Sequence, residues 1–242
     1  MKKPALLIGS GPSVDKIDPK YFDHFETYGC NSIFKKFEEW GRPVDNVVIT
    51  DSKRMQDIGD AYKNYEGRLF IGDQRYVMPP YKKYKRLLGR DFIPLKQLTK
   101  NTFPENWLTR LIPFSKYLSS TVFQKWNMTF DYERGLNFGR SVSCAMVQIA
   151  AIEGHKIIAL TGVDANYDNP KSYFSDVAET VSHVNVPFVS NPRLMMEPFF
   201  VMAQILLEPD GIRLIDCTPG GKLKFIEKSE LNQLLGVVGA NS

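Results

Sequence analysis

The sequence predicts an α/β fold: a Rossmann-like, mostly parallel sheet with helices on both faces. Short apolar runs, such as residues 5–8 and 157–160, are typical of strands that are buried on both faces. Stretches with helical periodicity, for example residues 141–153, lie between such runs. This alternation of strands and helices predicts a parallel sheet covered by helices.

Length and composition predict a single domain over residues 1–242. A chain of 242 residues buries roughly 70% of the surface that its unfolded form exposes, so it needs no disulfide or metal to fold. The net charge of +4 is too small to indicate a nucleic-acid partner, and we expect none. The basic cluster at 82–86 contains an aromatic residue and could contact phosphate, but a solvated helix face is the favoured interpretation.

Cysteine usage and apolar runs predict a cytoplasmic protein. The chain has 3 cysteines and no C-x-x-C pair, which argues against a disulfide framework and against a zinc site. The apolar run before Gly9 is too short for a signal peptide. No apolar run approaches the roughly 18 residues of a membrane span.

The predicted elements follow one another along the chain. We expect strands at 5–8, 26–30, 46–50, 68–71, 156–161, 212–215 and 223–226. We expect helices at 13–22, 33–40, 53–64, 141–153 and 193–207, and a last helix from Ser229. Gly154 is the natural C-terminal cap of the helix at 141–153.

Two segments interrupt this alternation. Residues 73–137 are rich in aromatic residues and contain scattered prolines. We interpret them as an irregular insertion that packs on the sheet, either as one wall of a substrate site or as plain core filling. Residues 165–192 are polar and are interpreted as a long lid loop, because loops of this length in compact domains are usually functional or disordered.

The turn Gly9-Ser10-Gly11-Pro12-Ser13 is the strongest candidate for a ligand site. Pro12 suits the first position of a helix, and Ser10 or Ser13 could cap it. A strand, a glycine turn and a helix N-terminus together offer free N–H groups and a positive dipole end to a phosphate. The third glycine of G-x-G-x-x-G is missing and no Gly-Lys-Ser/Thr follows, so neither fingerprint is complete. A turn that needs two flexible residues and binds nothing is the alternative.

Glycine or a polar residue also follows the other predicted strands. In open parallel sheets ligands bind at the carboxyl ends of the strands, so we expect these residues to converge on one edge. The candidate nucleotide-binding residues at this edge are Gly9, Ser10, Gly11, Ser13, Asn31, Asp51, Gly162, Asp164, Thr218 and Gly220.

The pattern resembles the bacterial sialyltransferases of glycosyltransferase family 42. The shared motifs follow strand ends, and here they are Gly9 to Ser13, Ile17-Asp18, Cys30-Asn31 and Thr161 to Asp164. The chain is also similar to the domain family of the archaeal hydroxymethylpterin pyrophosphokinase and the flagellin-glycosylation accessory factors, chiefly in its turn at 218–221. Because the two groups share a skeleton, the resemblance constrains the fold more closely than the reaction.

The sialyltransferase resemblance implies a metal-independent glycosyltransferase with a CMP-activated sugar as donor and no cofactor. The turn at 9–11 would face the phosphate, Asn31 would hold the ribose, base or phosphate, and Asp164 would help bind the nucleotide. Tyr167 and Tyr173 would donate hydrogen bonds to the departing phosphate. His183 would take the proton from the acceptor, a glycan or a lipid-linked oligosaccharide.

Asp51 departs from the sialyltransferase pattern, which has Asn at this strand end. A carboxylate repels a phosphate unless it is protonated or a metal bridges the two, so a second hypothesis stays open. In it, Asp51 and Asp164 hold Mg²⁺ in a pyrophosphokinase or another phosphotransferase. A non-catalytic nucleotide-sugar-binding protein is the third hypothesis.

The C-terminal residues leave the question of partners open. Leu231, Leu234, Leu235, Val237 and Val238 could contact a second subunit in a homo-oligomer, or a membrane surface as a peripheral contact. Packing on the domain itself is the favoured interpretation.

Overall fold

The computed structural model describes residues 2–73, 76–98, 128–138, 141–165, 174 and 192–239. These residues form one sheet of parallel strands in the order β5-β4-β3-β2-β1-β6-β7-β8. The strands are β1 (Ala5–Ile8), β2 (Glu26–Cys30), β3 (Asn46–Ile49), β4 (Arg68–Ile71), β5 (Ile93–Pro94), β6 (Ile157–Thr161), β7 (Arg213–Asp216) and β8 (Glu227–Lys228). The predicted α/β fold with a parallel sheet is confirmed.

Helices cover both faces of this sheet, as the sequence predicts. In the described part of the chain the α-helices are α1 (Ser52–Ile58), α2 (Tyr81–Leu88), α3 (Val142–Ile152), α4 (Pro192–Leu207) and α5 (Leu231–Gly239). On β1, Leu7 packs with residues of α3 and α4, whereas Leu6 and Ile8 pack with residues of α1, α2 and α5. The two faces alternate because successive side chains of a strand point in opposite directions.

Local capping fixes the ends of α3, the helix that the sequence identifies most clearly. The Ser141 hydroxyl accepts a hydrogen bond from the Ser143 N–H at 3.3 Å and caps the first turn. Gly154 lies two residues beyond the helix with a φ of +88°, a conformation that glycine adopts without strain.

Several predicted boundaries are wrong, in the first case because a proline and a capping residue interrupt the predicted helix. The predicted helix at 13–22 is two 3₁₀ helices, Pro12–Lys16 and Pro19–Asp23, and Asp18 caps the second by accepting the Lys20 N–H. The predicted helix at 33–40 is largely a 3₁₀ helix over Asn31–Lys36. The predicted strand at 223–226 is not a strand; the last strand is instead Glu227–Lys228.

The predicted irregular insertion at 73–137 is partly regular. In its described part, α2 packs on the sheet and β5 extends the sheet beyond β4. Tyr84 and Leu88 of α2 are buried and the lysines at 82, 83 and 85 are exposed, which agrees with a solvated helix face for the basic cluster. Residues 99–127 of the segment lie outside the described residues.

The C-terminal helix α5 packs on its own domain through the described side chains. Leu234 is buried in the core, and Leu231 and Leu235 pack against it. The side chains of Val237 and Val238 lie outside the described residues. In the part of the chain that the structure describes, no helix has the length and apolar character that crossing a membrane requires.

A polar network closes the amino-terminal edge of the sheet, opposite the predicted site. Arg68 ion-pairs with Glu26 at 2.7 Å and with Glu153 at 2.8 Å. The fully buried His155 lies 3.0 Å from the Tyr28 hydroxyl. Burial alone would raise the pKa of both glutamates, but their hydrogen bonds and neighbouring cations lower it below the usual value. His155 is therefore part of a structural network at the edge remote from the ligand edge.

Arg68→Met is expected to lower the free energy of unfolding by about 1–2 kcal/mol, a figure already reduced for the partial exposure of the guanidinium. The pKa values of Glu26 and Glu153 are lowered in the folded state. Their ion pairs with Arg68 therefore stabilise the fold above pH 4.5, and this stabilisation is lost as the pH falls through the folded-state pKa values. Urea denaturation at pH 7 and at pH 3.5–4 measures this difference. A loss that does not shrink at the lower pH would contradict this assignment.

Candidate functional site

The site lies at the carboxyl edge of the sheet, where the connections diverge. From β1 the chain proceeds through β2 and β3 on one side, whereas β6 and β7 lie on the other. Such a topological switch point is where open α/β sheets bind ligands. The turn after β1 and the turn after β6 meet here, as the sequence predicts.

The glycines after β1 are required by backbone packing between these two turns. The Gly9 N–H donates to the Thr161 carbonyl and the Gly11 N–H to the Gly162 carbonyl, each at 2.8 Å. A Cβ on Gly9 would lie 2.4 Å from the Gly162 carbonyl oxygen, and one on Gly11 would lie 2.0 Å from Asp164 Oδ2. The N–H groups of these two glycines are therefore already paired, with the last residue of β6 and with the residue that follows it.

Asp164 occupies the position that the sequence assigns to a bound anion. Its Oδ2 accepts a hydrogen bond from the Ser13 hydroxyl at 2.8 Å, and its Oδ1 lies 3.2 Å from the Ser13 nitrogen. The following helix is a 3₁₀ helix of only 5 residues, so it offers little dipole to an external ligand. Burial raises the pKa of Asp164 above its usual value despite these hydrogen bonds, and the nearby Asp216 adds to the rise.

Ser10 and Asn31 lie on the other side of the turn, at the ends of β1 and β2. Ser10 is partly exposed and hydrogen-bonds the thiol of Cys30, whose pKa burial raises to about 12. Asn31 adopts a φ of +49°, and its carbonyl accepts a hydrogen bond from the Tyr62 hydroxyl. Among the described residues, Asn31 Oδ1 is buried and has no hydrogen-bond partner. A buried acceptor of this kind is normally satisfied by protein, water or ligand, so Asn31 is a strong candidate for ligand contact.

Asp51 is exposed at the end of β3 and caps α1, because its Oδ1 accepts the Arg54 N–H at 3.4 Å. Three strand spacings, roughly 14 Å, separate the end of β3 from the end of β6, which carries Asp164. Ligands of Mg²⁺ lie about 2.1 Å from the ion, so strand ends this far apart do not favour a single ion held directly by both residues. The hypothesis in which Asp51 and Asp164 hold Mg²⁺ gains no support from this arrangement.

The turn after β7 contacts the turn after β6 that carries Asp164. Thr218 Oγ1 accepts a hydrogen bond from the Val163 N–H at 3.3 Å. Gly220 has a φ of +74° and open space around its Cα, so it serves the turn through its conformation. Asp216, which sequence reasoning did not select, lies beneath this turn; the signal was an acidic residue directly after an apolar strand.

The predicted catalytic residues Tyr167, Tyr173 and His183 lie outside the described residues. Phe174, which follows Tyr173 in the sequence, is buried in the core, and its N–H donates to the Ser10 carbonyl at 3.1 Å. Phe174 therefore lies at the end of β1. The described part of the chain contains no group of three His, Cys, Asp or Glu side chains that could hold a metal.

Comparison with solved structures identifies the fold. The sialyltransferase CstII from Campylobacter jejuni, in complex with the substrate analogue cytidine-5'-monophosphate, matches with a TM-score of 0.52 and 17% identity. The match covers 96% of this chain and 87% of CstII. The chain shares the fold of the Campylobacter sialyltransferases.

Two further structures support this assignment of the fold. The monofunctional alpha-2,3-sialyltransferase Cst-I from Campylobacter jejuni matches with a TM-score of 0.52 and 15% identity, over 89% of this chain and 75% of Cst-I. The MAf glycosyltransferase from Magnetospirillum magneticum AMB-1 matches with a TM-score of 0.52 and 12% identity, over 98% of this chain and 37% of that protein. No family profile and no curated protein sequence matches the chain.

Proposed function

We propose that the protein is a glycosyltransferase that transfers a sugar from a nucleotide-activated donor, with CMP as the nucleotide. The observation that carries the proposal is the polar group Ser10, Asn31 and Asp164 at the switch point of a fold shared with CMP-bound sialyltransferases. None of the structures compared above is a pyrophosphokinase, so the phosphotransferase alternative gains no support from them.

The charges at the site suggest how the donor is oriented in this proposal. Asp164 is an acceptor and would repel a phosphate, so it suits a hydroxyl or amino group of the donor. The partly exposed Ser10 hydroxyl and the Asn31 NH₂ group carry no charge and can donate to phosphate oxygens, while the unpaired Asn31 Oδ1 can accept from a hydroxyl or amino group of the donor. We therefore place the phosphate on the Ser10 and Asn31 side, and the hydroxyl-bearing part of the donor towards Asp164.

The chemical step is assigned to the segment that follows β6. Tyr167 and Tyr173 would donate hydrogen bonds to the phosphate as it departs, stabilising the charge that develops there. His183 would accept the proton of the attacking hydroxyl of a glycan or lipid-linked oligosaccharide. The hydrogen bond from the Phe174 N–H to the Ser10 carbonyl shows that Phe174, from this segment, lies at the ligand edge, and this contact supports the assignment.

Thermal unfolding with CMP, CDP, UDP, GDP, ATP or AMP, each with Mg²⁺ and with EDTA, tests the proposal. At one hundred times its Kd a ligand adds about 2.7 kcal/mol, which raises the Tm by roughly 5–10 °C for a domain of this size. We expect this shift with CMP or CDP in EDTA, followed by hydrolysis of a CMP-sugar in EDTA. A shift with ATP and Mg²⁺ alone would contradict the proposal.

Replacing His183 distinguishes the glycosyltransferase hypothesis from the hypothesis of a non-catalytic binding protein. His183→Ala is expected to lower CMP-sugar hydrolysis by about 100-fold, within the usual range for a general base, and to leave CMP binding intact. His24→Ala is the matched control, because His24 is exposed on a segment before β2 and remote from the carboxyl edge. CMP binding without turnover in the wild type would favour the non-catalytic hypothesis.

A further inference from the structure

An ion pair between a buried carboxylate, Asp216, and an exposed lysine, Lys228, lies beneath the turn after β7. The Asp216 carboxylate has no exposed surface, and Lys228 Nζ lies 3.2 Å from its Oδ2 across the β7–β8 pair. The other oxygen, Oδ1, accepts the Thr218 N–H at 3.0 Å. Lys228 Nζ also donates to the Gly221 carbonyl at 2.9 Å. The pair therefore holds both ends of the 218–221 turn.

This turn is connected to the Asp164 loop by two hydrogen bonds. The Thr218 hydroxyl accepts the Val163 N–H at 3.3 Å, one residue before Asp164. The Lys222 N–H donates to the Asp164 carbonyl at 2.9 Å. The backbone at Val163 and Asp164 is thus held by hydrogen bonds to both ends of the 218–221 turn, and Asp216 and Lys228 anchor this turn.

We propose that Asp216 and Lys228 are positioning residues that act through Thr218 to fix Asp164 in the orientation that receives the donor. This inference rests on the proposed glycosyltransferase function. Thr218, Asp216 and Lys228 act on the Asp164 loop and not on the reacting atoms. Their removal is expected to change the apparent affinity for the donor and to spare the rate of the chemical step.

The charge of Asp216 strengthens this coupling. It lies close enough to Asp164 to contribute to the raised pKa of that carboxyl, although burial is the larger cause. Lys228 offsets the Asp216 charge directly. Loss of Lys228 would leave a buried carboxylate without its cation beside Asp164, a costly arrangement that the turn would relieve by moving.

Kinetics of CMP-sugar hydrolysis in the full-length protein test the inference. Thr218→Val keeps the size of the side chain but leaves the Val163 N–H without an acceptor, so we expect the donor KM to rise about tenfold with kcat within about twofold. Thr218→Ser restores the acceptor and is expected to return KM to within about twofold of wild type. An unchanged KM in Thr218→Val would overturn the inference.

The two cross-strand ion pairs of β7 and β8 provide a matched control. Lys228→Met removes the cation beside Asp216, whereas Arg213→Met removes the cation of the exposed Arg213–Glu227 pair on the same strands. We expect the donor KM to rise in Lys228→Met only. Equal effects of the two variants would show a merely structural role and overturn the inference.

Hydrogen exchange distinguishes failure of this inference from failure of the proposed function. A wild-type protein that neither binds CMP nor hydrolyses the donor rejects the proposed function. Exchange of the Val163 amide then still measures the hydrogen bond between Val163 and Thr218. We expect faster exchange in Thr218→Val and wild-type exchange in Thr218→Ser. Unchanged Val163 exchange in Thr218→Val would reject the positioning role independently of any activity.

Discussion

Gly9→Ala is expected to lower the free energy of unfolding by about 3 kcal/mol or more, at the upper end of overpacking effects. The added Cβ would lie 2.4 Å from the Gly162 carbonyl oxygen, a backbone atom of the turn that follows the central strand β6. Gly162 cannot move away easily, because its carbonyl also accepts the Gly11 N–H at 2.8 Å and its φ is +69°. Urea denaturation, with the m-value checked for constancy, measures the loss.

Gly41→Ala is the control for this substitution. Gly41 has a φ of +66° and open space around its Cα, so alanine there meets only backbone strain of about 1 kcal/mol. A Gly9→Ala variant that loses no more stability than Gly41→Ala would show that the two turns separate readily. The close approach of β1 and β6 would then not be the reason for glycine at position 9.

Asp164→Ala is expected to lower kcat/KM for the donor about 100-fold, mainly through a higher KM, the scale expected when binding groups are misplaced by about 1 Å. The variant removes the acceptor of the Ser13 hydroxyl and N–H, and so releases the turn after β1 from the turn after β6. It also removes the proposed contact with the donor. Hydrolysis of a CMP-sugar and calorimetric binding of CMP measure the two effects separately.

Asp164→Asn separates the charge of this residue from its hydrogen bonds. The amide can accept the Ser13 N–H and donate to the Ser13 hydroxyl, so both contacts survive with the hydroxyl reversed. Because the pKa of Asp164 is raised on folding, its charged form costs stability, and this cost grows as the pH rises through the folded pKa. The variant should therefore unfold at a higher Tm than wild type at pH 7, yet turn over the donor more slowly. A lower Tm at pH 7 would contradict this assignment.

The sequence predicts the central strands closely because their signal is local. The strands β1, β2 and β4 begin and end at the predicted residues. Ser141 and Gly154 mark the ends of α3 by capping chemistry that depends only on neighbouring residues. The polar strand ends also meet at one edge, since parallel strands must place their carboxyl ends together.

The peripheral elements depended on tertiary context. The edge strands β5 and β8 have 2 residues each, too short to produce a period in the sequence. The predicted α-helix at 13–22 is replaced by two 3₁₀ helices because Pro19 lies in its interior, where proline lacks the N–H that a continuous helix needs.

By itself, the sequence determined the class of fold and the residue types at the ligand edge, because hydrophobic periodicity and strand ends depend on residues that are neighbours in the sequence. Only the tertiary structure decided what those residues do. Asp164 meets Ser13 across 151 positions of the chain, and the sheet order separates it from Asp51. The N–H groups of Gly9 and Gly11 pair with β6, and Asp216 anchors the neighbouring turn. Contacts between residues so distant in sequence arise from packing, which leaves no local pattern to read.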